Sequence, residues 1–147
     1  MRIYLAGRYS RRVELCGYRQ RLQDIGHTVT SRWLNGKHQL STDGLSLGAI
    51  NEEFVEPGND ARAAELRAFF AGEDVQDVGA ADLLIAFTEE PRAEASRGGR
   101  HVECGIAIGL GLAVAIVGPR ENVFHWLPYI RHFDSFDELL QYLSTAL

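Results

Sequence analysis

Two acidic side chains stand where an apolar surface is expected, and both are of a type that can attack a carbon or move a proton. The first is Glu103, in the run Ser96-Arg97-Gly98-Gly99-Arg100-His101-Val102-Glu103-Cys104-Gly105-Ile106-Ala107. Ile106, Ala107 and Leu110 follow it at i+3, i+4 and i+7, so the spacing puts Glu103 on the helix face expected to turn inward. Gly98 and Gly99 free the backbone just ahead of it, and a helix N-terminus carries a partial positive charge that favours an ionised side chain or a bound anion. A Glu in a first turn can also do no more than complement that dipole. The second acid is Asp74. Phe70, Asp74, Asp77, Val78 and Ala81 recur at i, i+4, i+7, i+8 and i+11, so two acids lie on or beside a stripe that should be buried. Burial of an acid is costly unless it is bonded or used. In one arrangement Asp77 bonds a nearby backbone amide while Asp74 sits in water at the stripe's edge. In the other, Asp74 points across a cleft toward Glu103. Two carboxyls whose surroundings separate their pKa values divide into nucleophile and proton donor, the pairing used to break glycosidic bonds.

To converge, these residues need a scaffold, and the chain alternates strand and helix. Arg2 to Gly7 reads as a short apolar strand, and Val13 to Ile25 as a helix with Leu15, Tyr18, Leu22 and Ile25 at helical spacing and Gly26 as its C-cap. Thr28 to Trp33 is a β-branched strand. Leu34 to Gly58 is polar and Gly-rich without steady periodicity, a length that carries function or hides a short helix. A helix is expected from about Asp60 to Val78, capped by Asn59 or Asp60, and then a strand from Asp82 to Phe87. After the Glu103 helix come a strand over Leu112 to Val117, the turn Gly118-Pro119-Arg120, the stretch Phe124 to Phe133, and a last helix from Ser135 to Ala146. Continuous apolar strands, each followed by a helix, indicate an α/β protein with a parallel sheet covered on both faces. Ligands of such sheets sit at the carboxyl ends of the strands, where Gly7 to Ser10, Thr88 to Gly99 and Gly118 to Asn122 fall.

The chain's 147 residues suit one domain spanning 1–147. Fifteen basic against 20 acidic residues give a net charge of −5, which argues against a general nucleic-acid-binding surface. Cys16 and Cys104 show no C-x-x-C or Cys/His metal spacing and read as reduced, buried thiols of a cytoplasmic protein without a metal. The longest apolar stretch, around Ile106 to Val117, is broken by glycines and falls short of the ~20 residues of a membrane span, so neither export nor membrane insertion is expected.

Four segments carry more than their separate meanings: Ile3-Tyr4-Leu5-Ala6-Gly7; Glu73-Asp74-Val75 ahead of Asp82-Leu83-Leu84-Ile85; Gly99-Arg100-His101-Val102-Glu103-Cys104-Gly105-Ile106-Ala107; and Gly118-Pro119-Arg120-Glu121-Asn122. In this order, and over nearly the whole chain, the sequence resembles the nucleoside 2-deoxyribosyltransferase family. The resemblance implies a flavodoxin-like fold, a three-layer sandwich around a five-stranded parallel sheet. It also implies cleavage of the N-glycosidic bond of a 2'-deoxynucleoside without a cofactor, the sugar passing to another nucleobase or to water. Glu103 would attack the anomeric carbon and form a covalent deoxyribosyl intermediate. Asp74 would exchange a proton with the departing and incoming bases. Tyr4 would hydrogen-bond Glu103 and orient it, where a strand aromatic otherwise fills core. Gly7, Ser96, Arg97, Gly98 and Gly99 fall at substrate-binding positions. Asn122 would reach across a subunit interface to the sugar 5'-hydroxyl of a neighbouring site, making the protein a homo-oligomer, dimer or higher; the plain alternative is an Asn that caps a turn. Trp33, Trp126 and Phe124 are candidates to stack on the base, with at least one expected in the core.

The chain departs from the pattern at Arg97. Transferases acting on free nucleosides carry an Asp six residues before the nucleophile for the 5'-hydroxyl, and here that position is Arg97, flanked by Ser96 and Arg100. Relatives that hydrolyse deoxynucleoside monophosphates have a Ser there, and a Ser with glycine amides at a helix start suits a phosphate. Arg11 and Arg12 could add to such a cradle, whereas Arg97 and Arg100 on solvent would be the ordinary fate of Arg. Two alternatives to the nucleoside transferase therefore stand: a nucleoside 5'-monophosphate N-glycosidase using the same Glu103, and a nucleotide-binding module that cleaves nothing.

Overall fold

The computed structural model describes residues 1–36, 61–90 and 98–145. Their order is β1 (Arg2–Ala6), α1 (Arg12–Asp24), β2 (Thr28–Val29), α2 (Ala61–Gly79), β3 (Leu83–Phe87), α3 (Gly99–Gly109), β4 (Ala113–Val117), β5 (Arg131–Phe133) and α4 (Phe136–Thr145). The strands form one sheet in the order β2-β1-β3-β4-β5, with every pairing parallel. This is the flavodoxin-like order, whose strand sequence reverses between β1 and β3. The continuous apolar runs have the expected consequence: Ile3 to Ala6, Leu83 to Phe87 and Val114 to Val117 are buried throughout, since helices cover both faces. On one face α1 meets α4, where the Tyr18 ring stacks on Phe136 at 4.0 Å and Arg21 pairs with Asp137 at 2.7 Å. On the other α2 packs against α3, and α3 crosses β1, β3 and β4. No helix among the described residues is long and apolar enough to cross a membrane.

Gly26 closes α1 as expected: its amide donates to the Gln23 carbonyl (2.9 Å) and that of His27 to Leu22 (3.0 Å), a Schellman arrangement. Three local expectations need correction. The second strand stops at Val29, because the Ser31 hydroxyl accepts the Leu5 amide (2.6 Å) where a strand carbonyl would have stood. The chain then curls into a 3-10 helix, Arg32–Asn35, that buries Trp33 and Leu34. On α3 the inward face runs through Arg100, Cys104 and Ala107, while Leu110 is exposed; Glu103 flanks that face beside half-buried Ile106. Cys104 is buried as expected, but Cys16 is only half-buried. The expectations for Leu34 to Gly58 lie outside the described residues beyond residue 36, as does the Asn59 or Asp60 cap.

Candidate active site

The strand order reverses between β1 and β3, the place at which sheets of this kind hold ligands. Tyr4 is the central residue of β1, pairs with Leu84 of β3 and is fully buried. Its side chain crosses beneath α3, and its hydroxyl donates to Glu103 Oε1 at 2.9 Å. A phenol this deep has no water to replace that bond, so it fixes where the carboxyl can sit. Burial pushes the Tyr4 pKa well above its ordinary value, with the charges of Glu103 and Asp74 acting in the same direction. The hydroxyl therefore remains a donor.

Glu103 lies in the first turns of α3, after Gly98 at φ 76, a left-handed backbone that a residue with a Cβ rarely takes. Burial first, and then the charge of Asp74, pushes Glu103 up to about 8; the Tyr4 bond and the positive charge of Arg100 pull it back. The influence of Asp74 on both Tyr4 and Glu103 places the two acids around one centre, one from α2 and one from α3. Burial and the repulsion of a second carboxylate thus both favour the protonated form of Glu103.

Asp77 follows the plainer of its two readings. It accepts the backbone amide of Arg32 (2.9 Å) and the Arg32 Nε (2.9 Å), while Arg32 Nη1 reaches Glu73 Oε1 (2.7 Å). The Thr30 hydroxyl adds a bond to the Asp77 carbonyl at 3.0 Å. Arg32 thus grips α2 on both sides of Asp74, at one residue before it and three after. Nothing in the spacing of the sequence pointed to Arg32.

Arg100 is neither on solvent nor open to a phosphate. Its side chain is 5% exposed and pairs with Glu121, itself 9% exposed, in the loop after β4. Arg100 Nε donates to Glu121 Oε2 at 3.1 Å, and a second, shorter bond joins Nη2 to Oε1. A signal for this was present in the sequence, since Arg100, Cys104 and Ala107 fall at i, i+4 and i+7. His101 Nε2 stands 3.7 Å from the same Glu121 carboxylate. Arg11 is bonded to Glu14 (2.8 Å) and to the Thr88 carbonyl (3.2 Å), and Arg12 to the Leu34 carbonyl (2.8 Å).

The remaining expected site residues divide. Gly98 and Gly99 form the start of α3. Ser96 and Arg97 lie outside the described residues. Gly7 follows β1, and a Cβ there would meet Leu15 Cδ2 at 2.9 Å, so any larger residue would need Leu15 of α1 to shift. Trp33 is the core member of the three aromatics: its indole N–H donates to the Leu5 carbonyl at 2.8 Å and it is 5% exposed, whereas Phe124 and Trp126 are 62% and 68% exposed. Asn122 caps the 3-10 helix Val123–Trp126, its Oδ1 accepting the Phe124 amide at 2.9 Å, with Nδ2 placed to donate to His101 Nδ1 (3.4 Å). Within this chain it has the capping role.

No family model and no curated protein matches the sequence. Among solved structures the chain is similar to a 2-deoxyribosyltransferase from the psychrotolerant bacterium Bacillus psychrosaccharolyticus, with a TM-score of 0.66 and 21% identity over 97% of this chain and 92% of that one. It is also similar to a CMP N-glycosidase from Clostridium botulinum, with a TM-score of 0.53 and 19% identity over 99% of both chains. At about one identical residue in five, what the likeness establishes is the fold: from end to end the chain has the flavodoxin-like α/β architecture that these two enzymes share.

Proposed function

We propose that this protein is a nucleoside 2'-deoxyribosyltransferase: it cleaves the N-glycosidic bond of a 2'-deoxynucleoside through a covalent deoxyribosyl-Glu103 intermediate and passes the sugar to another nucleobase. One observation carries the reading. A buried tyrosine, fixed in the first strand, holds by one hydrogen bond a carboxyl whose pKa is raised by burial and by a second carboxyl from the facing helix. The resemblance of the four sequence segments to the 2-deoxyribosyltransferases, and a fold in common with one of them, support it.

The residues divide the chemistry as follows. In the free site Glu103 and Asp74 share a proton. With substrate bound, that proton passes from Asp74 to a ring nitrogen of the base, the C1'–N bond breaks with its electron pair on the base, and a Glu103 carboxylate oxygen bonds to C1'. Tyr4 holds the carboxylate in line and offsets its charge as it forms. In the second half, a nitrogen of the incoming base attacks C1', its proton goes to Asp74, and the ester electron pair returns to Glu103. Two inversions give net retention. Phe124 and Trp126, exposed at the carboxyl edge of the sheet, are the aromatics available to a base. They flank Asn122, and we place there the interface of a homo-oligomer that would bring Asn122 to a neighbouring site.

Arg97 favours a second reading, hydrolysis of a nucleoside 5'-monophosphate with water in place of the acceptor base, since a cation stands where free-nucleoside transferases hold an Asp. A fold in common with a CMP N-glycosidase also supports it. Incubation with deoxyinosine, thymidine and their monophosphates, with and without an acceptor base, separates the two. Base exchange on free nucleosides supports the transferase, and base release confined to monophosphates supports the hydrolase. Base release by Glu103→Gln at the parent rate would refute both, and no cleavage of any substrate by the parent protein would leave a binding module.

A further inference from the structure

We propose that Arg100, through its buried ion pair with Glu121, is a positioning residue for Glu103: it locks the first turn of α3 to the loop after β4, so that the carboxyl meets Tyr4 in one orientation. The inference rests on the reading of Glu103 as nucleophile. Among the described residues no side chain caps the start of α3, whose N-cap is Gly98, so the first turn is not fixed by the usual capping bond. Arg100 is the second residue of the helix, on the stripe that faces the sheet, and Glu103 follows at i+3 on the adjoining face.

The other end of the tether is rigid. The Gly118 amide donates to the Phe133 carbonyl at 3.0 Å, and the Gly118 carbonyl lies 2.7 Å from His132 Nε2, which tie the loop to β5. Two residues beyond Glu121 the chain enters the 3-10 helix that Asn122 caps, and the Glu121 amide donates to buried His125 Nδ1 at 3.1 Å. Burial pushes the His125 pKa down, which leaves that ring nitrogen free to accept. Glu121 is therefore held by its own backbone, and a planar guanidinium docked on it through two bonds admits one geometry. A well-packed apolar pair at these positions would serve stability as well as a buried ion pair does, and often better. What the ion pair adds is orientation, together with a positive charge that favours the ionised form of the carboxyl one turn away.

Among the described residues, the groups that bear on Glu103 are Tyr4 from β1, Asp74 from α2, and Arg100 and Cys104 on its own helix. The double variant Arg100→Met/Glu121→Leu removes the tether and its charges and replaces them with apolar volume, so it should melt near the parent temperature. We expect kcat for base release to fall by roughly tenfold to a hundredfold with KM within about twofold of the parent, as for a displaced catalytic group. The side-chain carboxyl 13C signal of Glu103, assigned by its loss in Glu103→Gln, should titrate at higher pH than in the parent. Arg100→Lys, which keeps the charge without the two-pronged contact, should restore the titration and not kcat; it also covers the case in which the double variant fails to fold. Parent-like kcat and parent-like titration of Glu103 in the double variant would overturn the inference while Glu103→Gln is inactive. Parent activity in Glu103→Gln would instead remove the nucleophile reading on which it rests.

Discussion

The two helices that carry the facing acids are anchored in opposite ways. At the start of α3, Arg100 and Glu121 are both withdrawn from water. Along α2, Arg32 spans Glu73 and Asp77 with 42% of its own side chain exposed. An exposed ion pair contributes about 0–1 kcal/mol and is weakened by salt, whereas removal of one partner from a buried pair strands a charge at a cost of about 3–5 kcal/mol. The Glu103 side is thus held by contacts that tolerate little adjustment. The Asp74 side is held by contacts that water and salt can partly replace. This difference suits the roles proposed for the two acids, because bond formation by a nucleophile demands in-line placement more strictly than proton transfer does.

Substitutions on the two sides should differ in size of effect. The largest effect is expected on the rigid side: Glu103→Gln should lower base release at least about a thousandfold while leaving the fold intact, read by single-turnover product formation. Next, Arg100→Ala should destabilise the protein by about 3–5 kcal/mol in urea unfolding and Arg32→Ala by only about 1–2 kcal/mol, most of the latter from the Asp77 carboxylate it leaves behind. Added salt should erode the Arg32 contribution and spare that of Arg100; equal losses and equal salt dependence would dissolve the comparison.

The raised pKa of Glu103 has a consequence for stability. Because the folded protein holds a proton on Glu103 up to about 8 while the unfolded chain releases it near the ordinary value of 4.5, folding binds the proton between those limits. This contribution therefore costs nothing below the lower value, grows more unfavourable as pH rises through the window, and is complete above about 8. Glu103→Gln should accordingly gain stability over the parent by up to roughly 4 kcal/mol at the alkaline end, and little at the acid end. A difference independent of pH would mean that the carboxyl is ionised throughout. Tyr4→Phe should lower kcat by roughly tenfold to a hundredfold. It should also shift the rising limb of kcat/KM to higher pH, since the lost hydrogen bond favours the ionised Glu103. The smallest effect is expected at Asn122→Ala, about 1 kcal/mol of stability from the lost cap. A far larger loss of activity than of stability there would point to a role beyond capping, such as reaching a neighbouring site.

What was legible in the sequence was what local spacing controls. Runs of apolar residues with no polar alternation, each followed by a helical period, require a parallel sheet covered on both faces, and β1, β3 and β4 follow from that alone. The stripe Phe70, Asp77, Val78 and Ala81 is buried as its period dictates. Short-range pattern failed where a contact distant in sequence competed with it. The strand expected through Trp33 ends early because one serine hydroxyl takes the amide of Leu5, 26 residues away. Spacing puts Leu110 inward, yet α3 is rotated so that Arg100 takes a buried position, where it pairs with Glu121 on a distant loop.

The same division applies to the site. The sequence by itself determined that two acids would lie on or beside inward helix faces, and that a tyrosine would sit in a strand of the sheet, because periodicity specifies the face a residue occupies. Only the tertiary structure decided that Tyr4 reaches Glu103 across 99 positions, that Asp74 and not Asp77 bears on it, and that Arg32 and Arg100 hold the two helices in place. Spacing limits which faces of a helix can be buried; which face is turned in, which side chains meet and what charge each feels depend on how several elements pack at once.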